Sequence, residues 1–216
     1  MSNQYFVLSK QTIADFTPEI IADSFNNGFV FTREHLGSMY QTRSLRIRLD
    51  EKFAFNSENR RIVNKVMGLG LIKHDLPLVD YDWHIHKLGK EYYEAKFGKD
   101  VFSANKIKEL LTTTANFNTL FEYRYHEELV GYAICYEHDD FVQYAYPFYE
   151  LNKYANNFGM GMMLTAIKYA VDNNKKYIYL GSVSKPADVY KLQFNQLEWF
   201  DGKVWQTNID YLKALI

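Results

Sequence analysis

The chain has 216 residues, 47% hydrophobic and 17% aromatic, with 18 Tyr and 16 Phe. That is enough apolar material for a sizeable core, and it excludes wholesale disorder. The formal net charge of −1 excludes a global basic field, yet eight Lys/Arg stand against four Asp/Glu between Arg33 and Lys65, a local excess suited to phosphates.

The one cysteine, Cys135, rules out a disulfide within the chain and a cysteine-based zinc or iron–sulfur site. The first ten residues have no apolar signal core and no run approaches a membrane span, so a cytoplasmic protein without a membrane partner is expected.

Pro18 in a first turn, with Ile20, Ile21 and Phe25 as an apolar side, predicts a helix over 18–26 ended by Asn27-Gly28. Residues 41–49 alternate as a strand does, with Leu45, Ile47 and Leu49 toward a core and Ser44, Arg46 and Arg48 opposite. Ser57 suits the N-cap of a helix to about 67, closed by Gly68 and Gly70. Residues 86–97 read as another helix, stopped by Gly98, and Ser103 caps a third to about 111. His84 and His86 would share one face of a strand, but no third ligand is spaced to complete a metal site, so none is expected.

The second half is more regular. Residues 119–125, 129–137 and 141–149 read as a three-strand antiparallel meander with turns at 126–128 and 138–140. A helix over 159–172, a buried strand over 177–181 and a short helix or turn near 187–190 follow. A hairpin turning at Asp201-Gly202 closes the chain. In the strand over 129–137 small residues (Gly131, Ala133, Cys135) alternate with large ones; Cys135 reads as a buried apolar side chain.

This order resembles that of the GNAT acyltransferases. It implies an α/β (α+β) fold, a mixed, mostly antiparallel sheet flanked by helices, with a smaller N-terminal helical and strand extension. Residues 1–115 are expected to form the N-terminal region and 116–216 the catalytic core. Asn156, Gly159 and Gly161 resemble the phosphate-binding signature of that fold, with Asn156 in place of Gln or Arg. Glycines let backbone N–H groups approach an anion, and a helix N-terminus carries partial positive charge. Coenzyme A pyrophosphate and the 3′ end of a tRNA both satisfy that chemistry.

A second resemblance is more specific. Arg43-Ser44-Leu45-Arg46-Ile47-Arg48-Leu49, followed by Phe55, Ser57, Asn59, Arg60 and Arg61, is similar to a segment of the arginyl- and leucyl-tRNA–protein transferases. Residues 88–97, then Tyr146-Pro147-Phe148-Tyr149-Glu150, Tyr179-Leu180-Gly181 and Tyr190-Lys191 with Phe194, Leu197 and Glu198 follow in the family's order. The resemblance spans roughly 28–205. The family's Cys-x-x-Cys is absent, its positions holding Met39 and Thr42; Glu150 stands for an Asp and Gln196 for a Pro.

The resemblance implies transfer of Arg or Leu from an aminoacyl-tRNA to the N-terminal amine of an acceptor protein or peptide, with Asp or Glu at its N-terminus. No cofactor is implied beyond the aminoacyl-tRNA co-substrate. Tyr190 and Lys191 would face the aminoacyl end as catalytic residues, although Lys191 could instead meet a phosphate. Arg43, Arg46 and Arg48, Arg46 first, would meet the acceptor carboxylate, which suits a bidentate guanidinium. Tyr146, Asn156, Gly159, Gly161 and Glu198 complete the expected substrate-binding set. Arg46→Ala is expected to abolish transfer and leave folding intact. Two alternatives stay open: an N-acyltransferase using acetyl-CoA, and a non-catalytic GNAT-like binding module.

Overall fold

The structure, a computed structural model, describes residues 6–151, 153 and 157–216. In chain order its elements are β1 (Ser9–Thr12), α1 (Pro18–Asn26), β2 (Phe29–Phe31), β3 (Ser38–Gln41), β4 (Ser44–Arg48), α2 (Ser57–Lys65), β5 (Leu69–Asp75), α3 (Trp83–Phe97) and α4 (Ala104–Thr112). There follow β6 (Thr119–Tyr125), β7 (Glu128–Glu137), β8 (Phe141–Tyr149), α5 (Phe158–Asp172), β9 (Tyr177–Ser182), a 3-10 helical turn (Pro186–Leu192), β10 (Leu197–Phe200), β11 (Trp205–Gln206) and α6 (Ile209–Ala214). This mixed, mostly antiparallel arrangement is the GNAT-like fold expected from the order of elements.

The elements fall into two compact units. One comprises the chain up to Asn56, His138–Gln143 and Ala170–Ile216; the other comprises Ser57–Glu137 and Tyr144–Tyr169. Neither is a continuous stretch, and the boundary expected at 115–116 falls inside the second.

In the first unit, β1, β3 and β2 form a three-stranded antiparallel sheet in that order. A separate run has the order β11-β10-β4-β9-β8. There β4 is antiparallel to both β10 and β9, and the start of β8 lies parallel to β9 from Phe141↔Tyr177 to Gln143↔Tyr179. Helix α1 starts where proline belongs, since its missing N–H is one the first turn cannot pair. It buries Phe25 against Phe141 and Tyr179, with ring centroids at 4.4 and 5.0 Å. The buried Gln143 amide holds β2 at both polar groups, accepting from Phe31 N–H at 3.2 Å and donating to Phe31 C=O at 2.9 Å.

In the second unit the order is β8-β7-β6-β5. The β6–β7 turn places His126 and Glu127 at φ 48° and 67°, the left-handed pair of a type I′ hairpin. Helix α4 carries the expected Ser103 cap, whose Oγ accepts from Lys106 N–H at 3.2 Å. The core gathers Phe121, Tyr123, Ile107, Leu110, Leu111 and Phe148, all buried.

Four local expectations change. The strand over 41–49 is two strands, β3 and β4, broken at Thr42–Arg43; in β4 the Ser44 and Arg46 face is buried as well as the Leu45 and Ile47 face. Ser57 is the first helical residue of α2 rather than its cap. The chain beyond Gly68 runs on as strand β5, antiparallel to β6 over seven residue pairs. Finally, α3 starts at Trp83, capped by Asp82, so His84 and His86 lie on a helix and do not share a face. His84 Nδ1 lies 2.7 Å from Asp82 and His86 contacts the Tyr81 hydroxyl.

Candidate active site

Six of the expected site residues belong to the first unit. Strand β4 presents Arg46 opposite Glu198 of β10 on one side and Tyr179 of β9 on the other. Arg46 Nε donates to Glu198 Oε2 at 2.7 Å, and its terminal nitrogen reaches the Tyr179 hydroxyl at 3.4 Å. The guanidinium carbon lies 4.1 Å from the Tyr177 ring centroid and 4.0 Å from that of Trp205. Only 9% of either partner's side chain is exposed, so the pair is desolvated. Burial pushes the Tyr179 hydroxyl pKa up to about 12 against the opposing pull of Arg46, so it stays a neutral partner.

Arg48 continues the network nearer the surface. It lies 3.5 Å from Glu198 Oε1, 3.0 Å from Asp50 Oδ2 and donates to Gln196 Oε1 at 3.0 Å. Two guanidinium groups therefore face two carboxylates, and the cluster is close to neutral. Arg43 stands apart: its guanidinium lies over Phe6 at 4.0 Å and reaches the Leu215 carbonyl at 3.4 Å.

Lys191 and Tyr190 sit on the 3-10 turn. Pro186 is at its start, and Asp188 caps it by accepting from the Ser184 and Lys185 N–H groups at 3.0 and 3.2 Å. The Lys191 ammonium donates to the Ser182 carbonyl at 3.1 Å. It reaches that position over Gly181, at φ +78°, where an added Cβ would lie 3.7 Å from Nζ. Burial lowers the Lys191 pKa; Asp188 opposes the shift and Lys185 adds to it. The neighbouring Tyr190 is exposed. Ser182 is opposite Ser44 in the β4–β9 register, and Val183 N–H donates to Arg43 C=O at 3.0 Å. The turn and the arginine-bearing strand thus share β9 as a neighbour.

Tyr146, Gly159 and Gly161 belong to the second unit; Asn156 lies outside the described residues. Tyr146 is half-buried, edge-on to Phe102 and Phe117 at 5.2 and 5.3 Å. The Gly159 N–H, in the first turn of α5, donates to the Tyr149 hydroxyl. A Cβ at Gly159 would lie 2.9 Å from that hydroxyl oxygen, and one at Gly161 would lie 2.9 Å from Val66. Gly161 N–H donates to Asn157 C=O at 2.9 Å. Both glycines allow close packing, and both of their N–H groups are bonded within the chain.

Cys135 is fully buried, and burial drives its thiol pKa far above the ordinary range. Met39 and Thr42, at the family's cysteine positions, are buried; Met39 Sδ accepts from Gln11 and Thr42 Oγ1 lies 3.0 Å from Ser44 Oγ. No cluster of three or more metal-ligating His, Cys, Asp or Glu occurs among the described residues. No helix among them is long and apolar enough to cross a membrane.

Sequence reasoning missed Tyr177, Trp205, Asp50 and Asp188 as site residues, and it noted Gln196 only as a family position. A Pro followed two residues later by Asp marks the Asp188 cap in the sequence. Nothing local marks the others, because each meets its arginine from a different strand or loop.

The fold is similar to that of several solved structures. The C-terminal domain (DUF2156) of a protein described as a lysylphosphatidylglycerol synthetase from Agrobacterium fabrum superposes with a TM-score of 0.51 at 9% identity, over 82% of this chain and 56% of that one. L-PGS from Bacillus licheniformis gives 0.48 at 11% identity, over 78% and 54%. FemX gives 0.48 at 11%, over 82% and 62%. The chain therefore spans just over half the length of the two synthetase chains. At these identities the likeness is one of fold. No curated protein matches the sequence. Residues 80–201, more than half of the chain, match the family described as arginine-tRNA-protein transferase, C terminus, and the segment includes Tyr146, the α5 glycines, the Lys191 turn and Glu198. The chain belongs to the arginine-tRNA-protein transferase C-terminus family.

Proposed function

We propose that the protein is an aminoacyl-tRNA–protein transferase that moves Arg or Leu onto the N-terminal α-amine of an acceptor protein beginning with Asp or Glu. The observation that carries this reading is the family match over 80–201, which includes the half-buried Lys191 and the Glu198 that binds Arg46.

The chemistry asks little of the enzyme. The neutral α-amine attacks the ester carbonyl, the C–N bond forms, and the C–O bond to the tRNA ribose breaks. The amine loses a proton and the leaving ribose oxygen gains one. An unperturbed α-amine has a pKa of about 8, so an appreciable fraction is neutral near pH 7. Positioning and charge stabilisation then supply most of the rate.

In this reading Lys191, with its lowered pKa, exchanges the proton, and Tyr190 lies beside the aminoacyl group. Arg48, the more exposed arginine of the network, meets the acceptor carboxylate. Arg46 and Glu198 hold that arginine in place, and Arg43 flanks the same strand. Tyr146, Asn156, Gly159 and Gly161 contact the aminoacyl-tRNA. The work is done in the cytoplasm and needs no further cofactor.

The test supplies radiolabelled arginyl- or leucyl-tRNA with peptides that begin with Asp, Glu, Ala or Arg. Label should appear on the Asp and Glu peptides and vanish after ribonuclease treatment. Transfer from acetyl-CoA with no tRNA requirement would replace this reading with an ordinary N-acyltransferase; absence of both would leave a binding module.

A further inference from the structure

The segment between the Lys191 turn and β10 is held by a series of side-chain amides. Gln193 Nε2 donates to the Tyr190 carbonyl at 2.8 Å, and Asn56 Nδ2 donates to the Gln193 carbonyl. Asn195 Nδ2 donates to the Ala54 carbonyl at 3.0 Å. Gln196 ends the series and engages its backbone carbonyl and both ends of its side-chain amide. Its backbone carbonyl accepts from Arg48 N–H at 3.0 Å, its side-chain carbonyl accepts from the Arg48 guanidinium at 3.0 Å, and its side-chain NH2 donates to Asp50 Oδ1 at 3.4 Å. Its backbone lies at φ +55°, in the left-handed region that side chains other than Asn, Asp and Gly seldom adopt.

A residue in a sparsely populated conformation persists only when its surroundings over-determine it. Here they do so through a cation, an anion and a strand backbone at once. A carboxylate at this position would repel Asp50, and an ammonium would repel Arg48. A side-chain amide offers an acceptor to Arg48 and a donor to Asp50.

We infer that Gln196 is a positioning residue: by locking the 193–196 segment onto β4 it holds the 3-10 turn so that the Lys191 amine sits on the Ser182 carbonyl over Gly181. The inference deepens the proposed transferase reading, since it names what orients that site's lysine. The groups facing the Lys191 amine are Asp188, Lys185, the Ser182 carbonyl and the Tyr190 ring, whose centroid lies 5.8 Å away. None belongs to the clamp, so the clamp acts on the lysine only by placing the turn.

The test is Gln196→Gly, which relieves the positive φ and removes the amide, with Gln196→Asn as the conservative variant that tolerates the same φ and keeps a shorter amide. The Lys191 titration is followed in the full-length protein by carbon-13 NMR of labelled lysines and assigned with Lys191→Arg. In Gln196→Gly the Lys191 pKa should move up toward the ordinary lysine value, with Gln196→Asn in between. In the transfer assay kcat should fall about tenfold in Gln196→Gly, and acceptor KM should rise as well because the same amide holds the Arg48 guanidinium. If Lys191 titrates identically in wild type and in either folded variant, the inference is overturned, whatever the activity. A moved titration in a protein with no transferase activity would keep the inference and defeat the transferase reading.

Discussion

Arg46 shows why a residue type in a motif does not by itself define a role. An exposed arginine opposite a core face was expected to meet the acceptor carboxylate, but its carboxylate partner is internal, the Glu198 side chain at 2.7 Å. Removing one member of a buried pair leaves an uncompensated charge, so Arg46→Ala should destabilise the protein by about 3–5 kcal/mol. The buried pair thus predicts a cost to folding where the sequence alone predicted none. The double variant Arg46→Met with Glu198→Leu should recover much of that loss, as urea denaturation would measure; equal loss in both would show that the charges are not what couples the strands. Lys191 gives a pH prediction. Its folded pKa lies below the ordinary 10.5 because burial disfavours the ammonium. Between those two values the unfolded chain binds more protons than the folded chain, so this group's contribution makes stability rise with pH across that window. Lys191→Met should flatten that rise, which denaturation at pH 7 and at pH 10.5, the upper end of the window, would reveal.

Elements with strong local signals formed where their residues asked for them. Helix α1 spans Pro18–Asn26, and α4 follows its Ser103 cap; Ser103→Ala should cost about 1 kcal/mol, read as a lowered urea midpoint at unchanged slope. The three strands β6, β7 and β8 and the Asp201-Gly202 hairpin also stand as the alternation and turn residues indicate. There Asp201 Oδ1 accepts from Lys203 and Val204 N–H at 2.8 and 2.9 Å. Elements without such signals were not legible. Strand β1 is four residues, three of them exposed, and its pairing with β3 supplies what its own side chains do not. Strand β5 mixes Gly70, Lys73 and His74 with apolar residues and is held by its seven-residue register with β6. Within β7, Gly131 is small because β8 passes close: a Cβ there would lie 2.6 Å from the Phe148 carbonyl oxygen. Gly131→Ala should therefore destabilise by about 1–3 kcal/mol in the same measurement, and a neutral effect would show that β8 can yield.

For the molecule as a whole, Cys135 offers a reporter. It is fully buried and its thiol is held protonated by burial, so it should resist a thiol reagent in the native protein and react at the rate of global opening. Rapid labelling under native conditions would mean that β7 opens locally. Residue patterns alone determined α1, α4, the β6–β8 meander, the Asp201-Gly202 hairpin, the family and the apolar character of Cys135. Helix and strand periods, caps and turn dipeptides act over a few residues, and a short window of sequence contains all of that physics. Tertiary structure alone decided which partner each charged side chain takes. Arg46 meets Glu198 from 152 residues away and Tyr179 from 133, through registers that place β4 between β9 and β10. Such pairings follow from burying whole strands together, and no local pattern encodes them.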